Sequence, residues 1–209
     1  MKTRRLFYED VYIQEFEAIV LSCEEKDGKY HVILNATAFY PEGGGQPADK
    51  GMIDNIPVAD VQYIDGELCH IMESPLEEGA QVVGKIDWNW RFDLMQQHSG
   101  EHIVSGMIHE KYGYENVGFH MGEEIITIDL SGMLTWQQVQ EIEKKVNYYI
   151  WMNQQVNIFY PDERQRKFIP YRSKKELTGE IRLVEFPGAD LCACCGLQVT
   201  HASQIVLVK

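Results

Sequence analysis

Side chains of the kinds that bind metal ions are concentrated at two places in this chain. If both groups bind the same ion, the fold must bring them together. His98 and His102 lie four residues apart in a helix-like segment, which puts two imidazoles on one helix face. Three of the five cysteines occur far along the chain, within Cys192–Cys195. A histidine pair alone is more often two ordinary surface or core residues. The cysteine cluster favours a zinc site made of imidazole and thiolate.

The composition is that of a globular protein, with 44% hydrophobic and 24% charged residues. No apolar run is long enough to span a bilayer, and no targeting segment is recognisable, so we expect no membrane partner. The cysteines are odd in number and clustered, which favours a cytoplasmic thiol protein over a secreted protein with disulfides.

The formal net charge of −13 opposes binding to a nucleic acid, unless basic residues are concentrated locally. One such basic segment is present, and it has no acidic residue between its basic ones: Arg164, Arg166, Lys167, Arg172, Lys174 and Lys175. The alternative is a solvated loop whose charges balance nearby acids.

Short strands joined by turns are predicted for the first ninety or so residues. Asp27-Gly28 and Asp65-Gly66 are typical of tight hairpin turns, because both residue types accept a positive φ. The predicted strands are Glu17–Cys23, Tyr30–Thr37, Val58–Ile64, Glu67–Met72 and Val82–Asp87. These elements predict a small β-barrel.

The hydrophobic spacing becomes helical from Arg91 up to Gly113, and Thr135 with Gln138 predicts a capping box for a helix ending near Asn153. The strands predicted beyond Arg91 are Glu124–Leu130, Val156–Tyr160, Ile181–Phe186 and Ile205–Val208. The fold class expected is α+β, with a barrel domain over residues 1–89 and an α+β domain with the metal site over residues 90–209.

Three consecutive glycines, Gly43, Gly44 and Gly45, are followed by Gln46 in a loop of the predicted barrel. A backbone without Cβ atoms allows a ligand to approach closely, and Gln46 offers both a donor and an acceptor. The loop lacks the Lys-Ser/Thr pair of a phosphate-binding loop and opens no helix, so nucleoside triphosphate binding is not expected. By itself, such a loop is more often only a connection.

Four segments in order resemble the AlaX family, the freestanding alanyl-tRNA editing proteins, which are similar to the editing domain of alanyl-tRNA synthetase. They are Leu6–Asp10, Thr37–Gly51, His98–His102 and Ala193–Val199. The resemblance runs over almost the whole chain and implies the same barrel and α+β layout. It implies a hydrolase that removes wrongly attached serine or glycine from tRNA for alanine. Longer members of the family carry a further C-terminal domain.

The resemblance also implies one zinc ion held by His98, His102 and Cys194, with a fourth histidine ligand at the position of Gln198. The chain departs from the family there, because an amide is a poorer zinc ligand than imidazole. We expect an open site whose fourth position holds water, which Gln198 contacts, or a weak bond from the amide oxygen. The alternatives are closure of the site by His201, and weakened or lost metal binding.

The resemblance and the chemistry of the reaction assign further roles. Gly43–Gly45 and Gln46 would bind the terminal adenosine or the oxyanion, and zinc would activate water. Thr37 matches a position linked to distinguishing serine from alanine. Glu101 is a candidate base, or else a solvent-facing helix residue.

Mischarged tRNA for alanine is the expected partner, contacted by Arg166 and Lys167 in the basic segment and by Lys2–Arg5. Two other functions remain open. His98–His102 also fits the His-x-x-Glu-His pattern of a zinc metallopeptidase. A metal-free tRNA-binding or aminoacyl-binding module would agree with glutamine at position 198.

Overall fold

The computed structural model describes residues 2–122, 125–173 and 178–209. The chain divides into two compact units, Met1–Leu94 and Met95–Lys209. The predicted division at residue 89 stays a prediction, and each unit is described by itself below.

A closed antiparallel barrel of six strands, in the order β2-β3-β7-β6-β5-β8, makes up most of the first unit. A parallel pair, β1 with β4, lies outside the barrel. The elements are β1 (Arg4–Arg5), α1 (Leu6–Glu9), β2 (Glu15–Lys26), β3 (Lys29–Leu34), β4 (Ala36–Thr37), β5 (Gly51–Ile53), β6 (Ile56–Ile64), β7 (Glu67–Met72) and β8 (Gln81–Ile86).

The hairpins of the barrel follow from their turn residues. Asp27 and Gly28 have φ of 51° and 76°, and Asp65 and Gly66 have φ of 52° and 84°, as the two Asp-Gly signals predicted. A third hairpin joins β5 to β6 and turns at residues 54 and 55, which both have positive φ. This turn was not predicted from the sequence. Alternate residues of β2 are buried, so one face of this strand lines the core.

A buried ion pair fixes the end of the glycine loop within the first unit. Arg91 and Asp49 are fully buried, and Arg91 Nε donates to Asp49 Oδ1 at 2.7 Å. The same guanidinium donates to the carbonyl oxygens of Val11 and Ala38. Burial raises the pKa of Asp49, and the adjacent Arg91 opposes this shift. Removing either partner would leave a buried charge uncompensated, so the pair is a structural requirement.

The second unit contains two long helices and small antiparallel sheets. The hairpin β9-β10 forms one sheet, and the order β11-β12-β13 forms the other. The remaining elements of the chain are α2 (Trp88–Tyr112, which begins in the first unit), β9 (Asn116–Met121), β10 (Ile126–Leu130), α3 (Trp136–Met152), β11 (Asn157–Phe159), α4 (Glu163–Arg166), β12 (Leu183–Phe186), β13 (Asp190–Ala193) and a 3-10 helix (Ala202–Ile205).

The predicted α+β class with an N-terminal barrel is confirmed. The capping box of α3 is present, with Thr135 accepting from Gln138 N at 3.3 Å. The predicted strand Ile205–Val208 is wrong, because a 3-10 helix ends at Ile205 and Val206 has a φ of 73° that a strand does not allow. Glu124, the predicted start of the strand that forms β10, lies outside the described residues.

No helix in the described residues is both long and apolar enough to cross a bilayer.

Candidate metal centre

Helix α2 presents two imidazoles, and a segment about ninety residues later supplies a sulfur atom. The rings of His98 and His102 are stacked with centroids 5.3 Å apart, and both residues are buried. Cys194 Sγ lies 3.4 Å from His98 Nε2. One ligand atom from each of these three residues lies within 4.8 Å of the other two, so the group could hold a metal ion.

The donor atoms of the group suit zinc. His102 Nε2 is buried and, within the described part of the chain, has no hydrogen-bond partner. The other ring nitrogen, Nδ1, lies 2.8 Å from Asp190 Oδ2 and donates its proton there, because a carboxylate can only accept. When the ring is neutral, as a metal ligand must be, this bond leaves the lone pair of His102 on Nε2. Two imidazoles and one thiolate are a donor set that zinc prefers.

The two cysteines near the histidines, Cys192 and Cys194, have pKa values shifted in opposite directions. Burial opposes ionisation of the Cys194 thiol, but His98 and His102 outweigh it and lower the pKa of this thiol well below its usual value. Burial raises the pKa of Cys192 to about 11, so this side chain stays a neutral thiol. Cys195 is exposed. Cys194 is therefore the sulfur ligand that this arrangement favours.

Asp190 connects the candidate ligand His102 to Arg172, which is partly buried. Its Oδ1 accepts from Arg172 Nε at 2.8 Å, while its Oδ2 accepts from His102. Burial opposes ionisation of this carboxyl, but His102 and Arg172 outweigh it and keep the pKa of Asp190 below its usual value. Arg172 belongs to the basic segment that is predicted to contact tRNA. In the structure its guanidinium is paired with Asp190, and the tRNA contact stays a prediction.

Gln198 and His201, the two alternatives for a fourth ligand, differ in position. Gln198 is fully buried, and its Nε2 lies 3.5 Å from Cys194 Sγ. Its Oε1 accepts from both Nη atoms of Arg182 at 3.2 Å. His201 is exposed, and its Nδ1 lies 3.3 Å from Thr200 Oγ1. Among the described side chains, His201 is not in a group that could hold a metal.

Glu101, the candidate base, is buried in a polar network next to His102. Its Oε1 accepts from Ser105 Oγ at 2.6 Å and from Asn116 Nδ2. The alternative of a solvent-facing helix residue is wrong, since only 8% of Glu101 is exposed. Ser105 is one turn further along α2, whereas Asn116 begins β9, so no local pattern indicates the second contact.

The predicted substrate-binding residues of the barrel lie in the first unit. Gly43 and Gln46 exchange backbone hydrogen bonds of 3.0 Å in both directions, and Gln46 is fully buried. Gly44 and Gly45 are exposed and have φ of 62° and 82°. The Gly43 amide would therefore have to give up its bond to Gln46 before contacting a substrate.

Thr37, in β4 of the first unit, is also fully buried. His70 Nδ1 lies 3.1 Å from the Val32 carbonyl oxygen and donates to it, so Nε2 accepts from the Thr37 hydroxyl at 2.8 Å. Thr37 Oγ1 in turn accepts from Phe39 N at 3.1 Å. His70 was not identified from sequence, because its partners lie on other strands.

Part of the basic segment remains on the surface. Lys167 is exposed, and Arg166 Nη2 lies 3.8 Å from Glu163 Oε1. Lys174 and Lys175 lie outside the described residues. Arg4, in the predicted Lys2–Arg5 contact, pairs with Glu9.

The chain is similar to a family of tRNA synthetases and to alanyl-tRNA editing proteins. Residues 4–90 match the family of class II (A) tRNA synthetases. The chain is 34% identical over 216 residues to the alanyl-tRNA editing protein Aarsd1-B of Xenopus laevis, covering 96% of this chain and 52% of the relative. It is 31% identical to the alanyl-tRNA editing protein AlaX-L of Pyrococcus horikoshii, covering 98% of this chain and 53% of the relative.

A synthetase is also similar. The alanine–tRNA ligase of Ignicoccus hospitalis is 33% identical over 219 residues, which cover 99% of this chain and 24% of the ligase. The chain spans about half the length of the editing proteins that it matches.

Proposed function

This chain belongs to the alanyl-tRNA editing protein family, and we propose that it is a zinc-dependent hydrolase that removes wrongly attached serine or glycine from tRNA for alanine. The observation that carries the proposal is the group of His98, His102 and Cys194, whose ligand atoms lie within 4.8 Å of one another. Similarity over 96% of the chain supports the assignment of substrate class.

The reaction requires an activated water molecule beside the ester carbonyl. A zinc ion supplies Lewis-acid chemistry, which polarises water or a carbonyl oxygen. Asp190 keeps the proton of His102 on Nδ1 and so presents the Nε2 lone pair. Cys194 contributes a negative charge, which the neighbouring imidazoles stabilise.

Glu101 is the proposed proton acceptor near this group. The bonds from Ser105 and Asn116 to Oε1 hold its carboxyl group in place. In the first unit, Thr37, Gly43–Gly45 and Gln46 are the proposed contacts for the aminoacylated end of tRNA. Arg166 and Lys167 are the proposed phosphate contacts.

Deacylation of seryl-tRNA for alanine tests the proposal directly. We expect the purified protein to contain about one equivalent of zinc and to lose activity with a chelator. His98→Ala and Cys194→Ser should lose both zinc and deacylation. Cys195→Ser is the matched control, because this exposed thiol is adjacent to Cys194 and, among the described residues, belongs to neither group that could hold a metal. Turnover retained in folded His98→Ala would contradict the mechanism.

A metal-free binding module is the second candidate, and Gln198 in place of the family's histidine is the observation that favours it. Protein without metal that still binds tRNA but does not deacylate it would support this candidate. The metallopeptidase alternative requires peptide cleavage that depends on Glu101. The sulfur of Cys194 beside His98 does not favour it, since such peptidases take a carboxylate as third ligand.

A further inference from the structure

The orientation of the Gln198 amide is fixed by its neighbour Arg182. Both Nη atoms of Arg182 lie 3.2 Å from one end of the amide, and a guanidinium has donors only. That end must therefore be the oxygen. Arg182 is itself held in place, because its Nη1 donates to the carbonyl oxygens of Cys194 at 2.8 Å and Gly196 at 2.9 Å.

The nitrogen of the same amide therefore faces sulfur. Gln198 Nε2 lies 3.5 Å from Cys194 Sγ, and the Gly196 amide donates to this sulfur at 3.4 Å. Two N–H groups thus point at the sulfur that the proposed metal would bind. Such donors stabilise a thiolate and reduce the charge that it gives to a metal.

Rotating the amide to present its oxygen to a metal is unfavourable in this setting. A half turn would place the N–H groups of Gln198 against the N–H groups of Arg182, and the charged guanidinium would lose this acceptor. Gln198 is fully buried, so water does not readily compensate for such a loss.

We infer that Gln198 is not a metal ligand but a positioning residue, which donates a hydrogen bond to the Cys194 thiolate and is oriented by Arg182. The metal is then held by three protein atoms, one each from His98, His102 and Cys194. This inference rests on the proposed metal site. It states the role of Gln198, which stands where the family has a histidine ligand. It leaves one coordination position without a protein ligand among the described residues.

Cobalt(II) substitution of the full chain tests this inference without tRNA. The absorption bands of cobalt report its coordination geometry, and the sulfur-to-cobalt charge-transfer band reports the state of the thiolate. Azide, a small anion that coordinates cobalt, should change the bands of the unaltered protein, because a position is open to it. Gln198→His should weaken azide binding at least about tenfold, since an imidazole would fill that position.

Gln198→Leu separates the two roles of the amide. With the hydrogen bond to sulfur removed, the charge-transfer band should move to lower energy, while azide affinity should stay within about threefold. Gln140→Leu, a change on the exposed surface of α3, is the matched control and should alter neither signal.

Three results would overturn the inference. The first is azide binding at least about tenfold tighter in Gln198→Leu, as expected if the amide oxygen were a ligand. The second is an unchanged charge-transfer band in that variant, and the third is that the unaltered protein binds no cobalt. If Gln198→Leu fails to fold, the azide response of the unaltered protein and of Gln198→His still decides. Protein with the expected spectra but without deacylation would instead contradict the proposed function.

Discussion

Asp190 accepts a hydrogen bond from His102, a proposed metal ligand, so a change of one atom in Asp190 tests its role. In Asp190→Asn, the side chain keeps its size but loses the negative charge of the carboxylate, whose two oxygens accept from His102 Nδ1 and Arg172 Nε. We expect metal affinity to fall about 10-fold to 100-fold, as is usual when the partner of a ligating histidine is removed. Competition with a coloured chelator measures this affinity.

Asp65→Asn is the control for the Asp190 change, since Asp65 is exposed in a barrel hairpin and should leave metal affinity unchanged. An unchanged affinity in Asp190→Asn would mean that His102 keeps its orientation through packing alone, for example through its stacking on Phe186.

At the scale of residues, the sequence indicates the candidate metal ligands but not the residues that orient them. The spacing of His98 and His102 follows from one turn of helix, and the cysteine cluster marks the second segment. Asp190 and Arg182 act through contacts with residues 88 and 16 positions away, which no local pattern encodes. For the same reason, closure of the site by His201 stayed open as an alternative, although the side chain of His201 is exposed.

At the scale of elements, helix α2 approaches the segment before β13 closely at a glycine. A Cβ built on Gly106 would lie 2.3 Å from the Ala189 carbonyl oxygen and 2.6 Å from Asp190 Cβ. Gly106→Ala should therefore destabilise the protein by about 1–3 kcal/mol, as overpacking does. It should also lower metal affinity, because Asp190 must move. Urea unfolding and chelator competition measure the two effects.

Gly100→Ala is the matched control within the same helix. Its Cβ would meet only methyl groups, at 3.4 Å from Val208 and 3.6 Å from Ile205, which are ordinary contacts. Replacing a helical glycine by alanine should stabilise α2 by about 0.5–1 kcal/mol. Equal effects of the two substitutions would show that the approach at Gly106 does not limit the packing.

The barrel strands contain a buried histidine that makes stability depend on pH. Burial lowers the pKa of His70 from 6.5 to about 4. Below pH 6.5 the unfolded chain binds a proton that the folded chain does not, so stability is complete above that pH and falls as the pH drops towards 4. The total loss is about 3 kcal/mol for a shift of this size.

His70→Gln should flatten the pH dependence of the free energy of unfolding between pH 6.5 and 4. Its side chain cannot titrate, and its oxygen can still accept from Thr37. His31→Gln, on the neighbouring strand β3, is the matched control for the change of side chain. If the slope in His70→Gln equals that of the unaltered protein, another group causes the acid sensitivity.

The elements that the sequence predicted are those with strong local signals. Asp-Gly turns identified two barrel hairpins, and Thr135 identified the start of α3. The apolar run Ile205–Val208 predicts a strand by its composition, and the structure contradicts this prediction. The Val208 backbone instead exchanges hydrogen bonds with the Asn147 side chain, through Nδ2 at 2.7 Å and Oδ1 at 2.9 Å. Tertiary contacts thus decided what periodicity left ambiguous.

At the scale of the whole molecule, the α+β class follows from the change of period near Arg91, from strand-like to helical spacing. The charge distribution is harder to derive from sequence, because ion pairs formed in the fold offset part of the basic charge. Arg172 is paired with Asp190 and Arg4 with Glu9, so two of the predicted tRNA contacts are engaged within the protein. With a net charge of −13, the exposed basic residues that remain must act locally.

Charge reversal at Arg166 and Lys167 tests whether they contact the tRNA backbone. Each phosphate contact releases counterions, so we expect the double change to weaken tRNA binding and to reduce the slope of log affinity against log salt by about 2. Binding measured over a range of salt concentrations gives this slope. Lys26→Glu with Lys29→Glu, on a barrel hairpin, alters the net charge equally and should leave the slope unchanged. If both pairs weaken binding with an unchanged slope, the effect comes from the overall charge, and the Arg166–Lys167 contact is excluded.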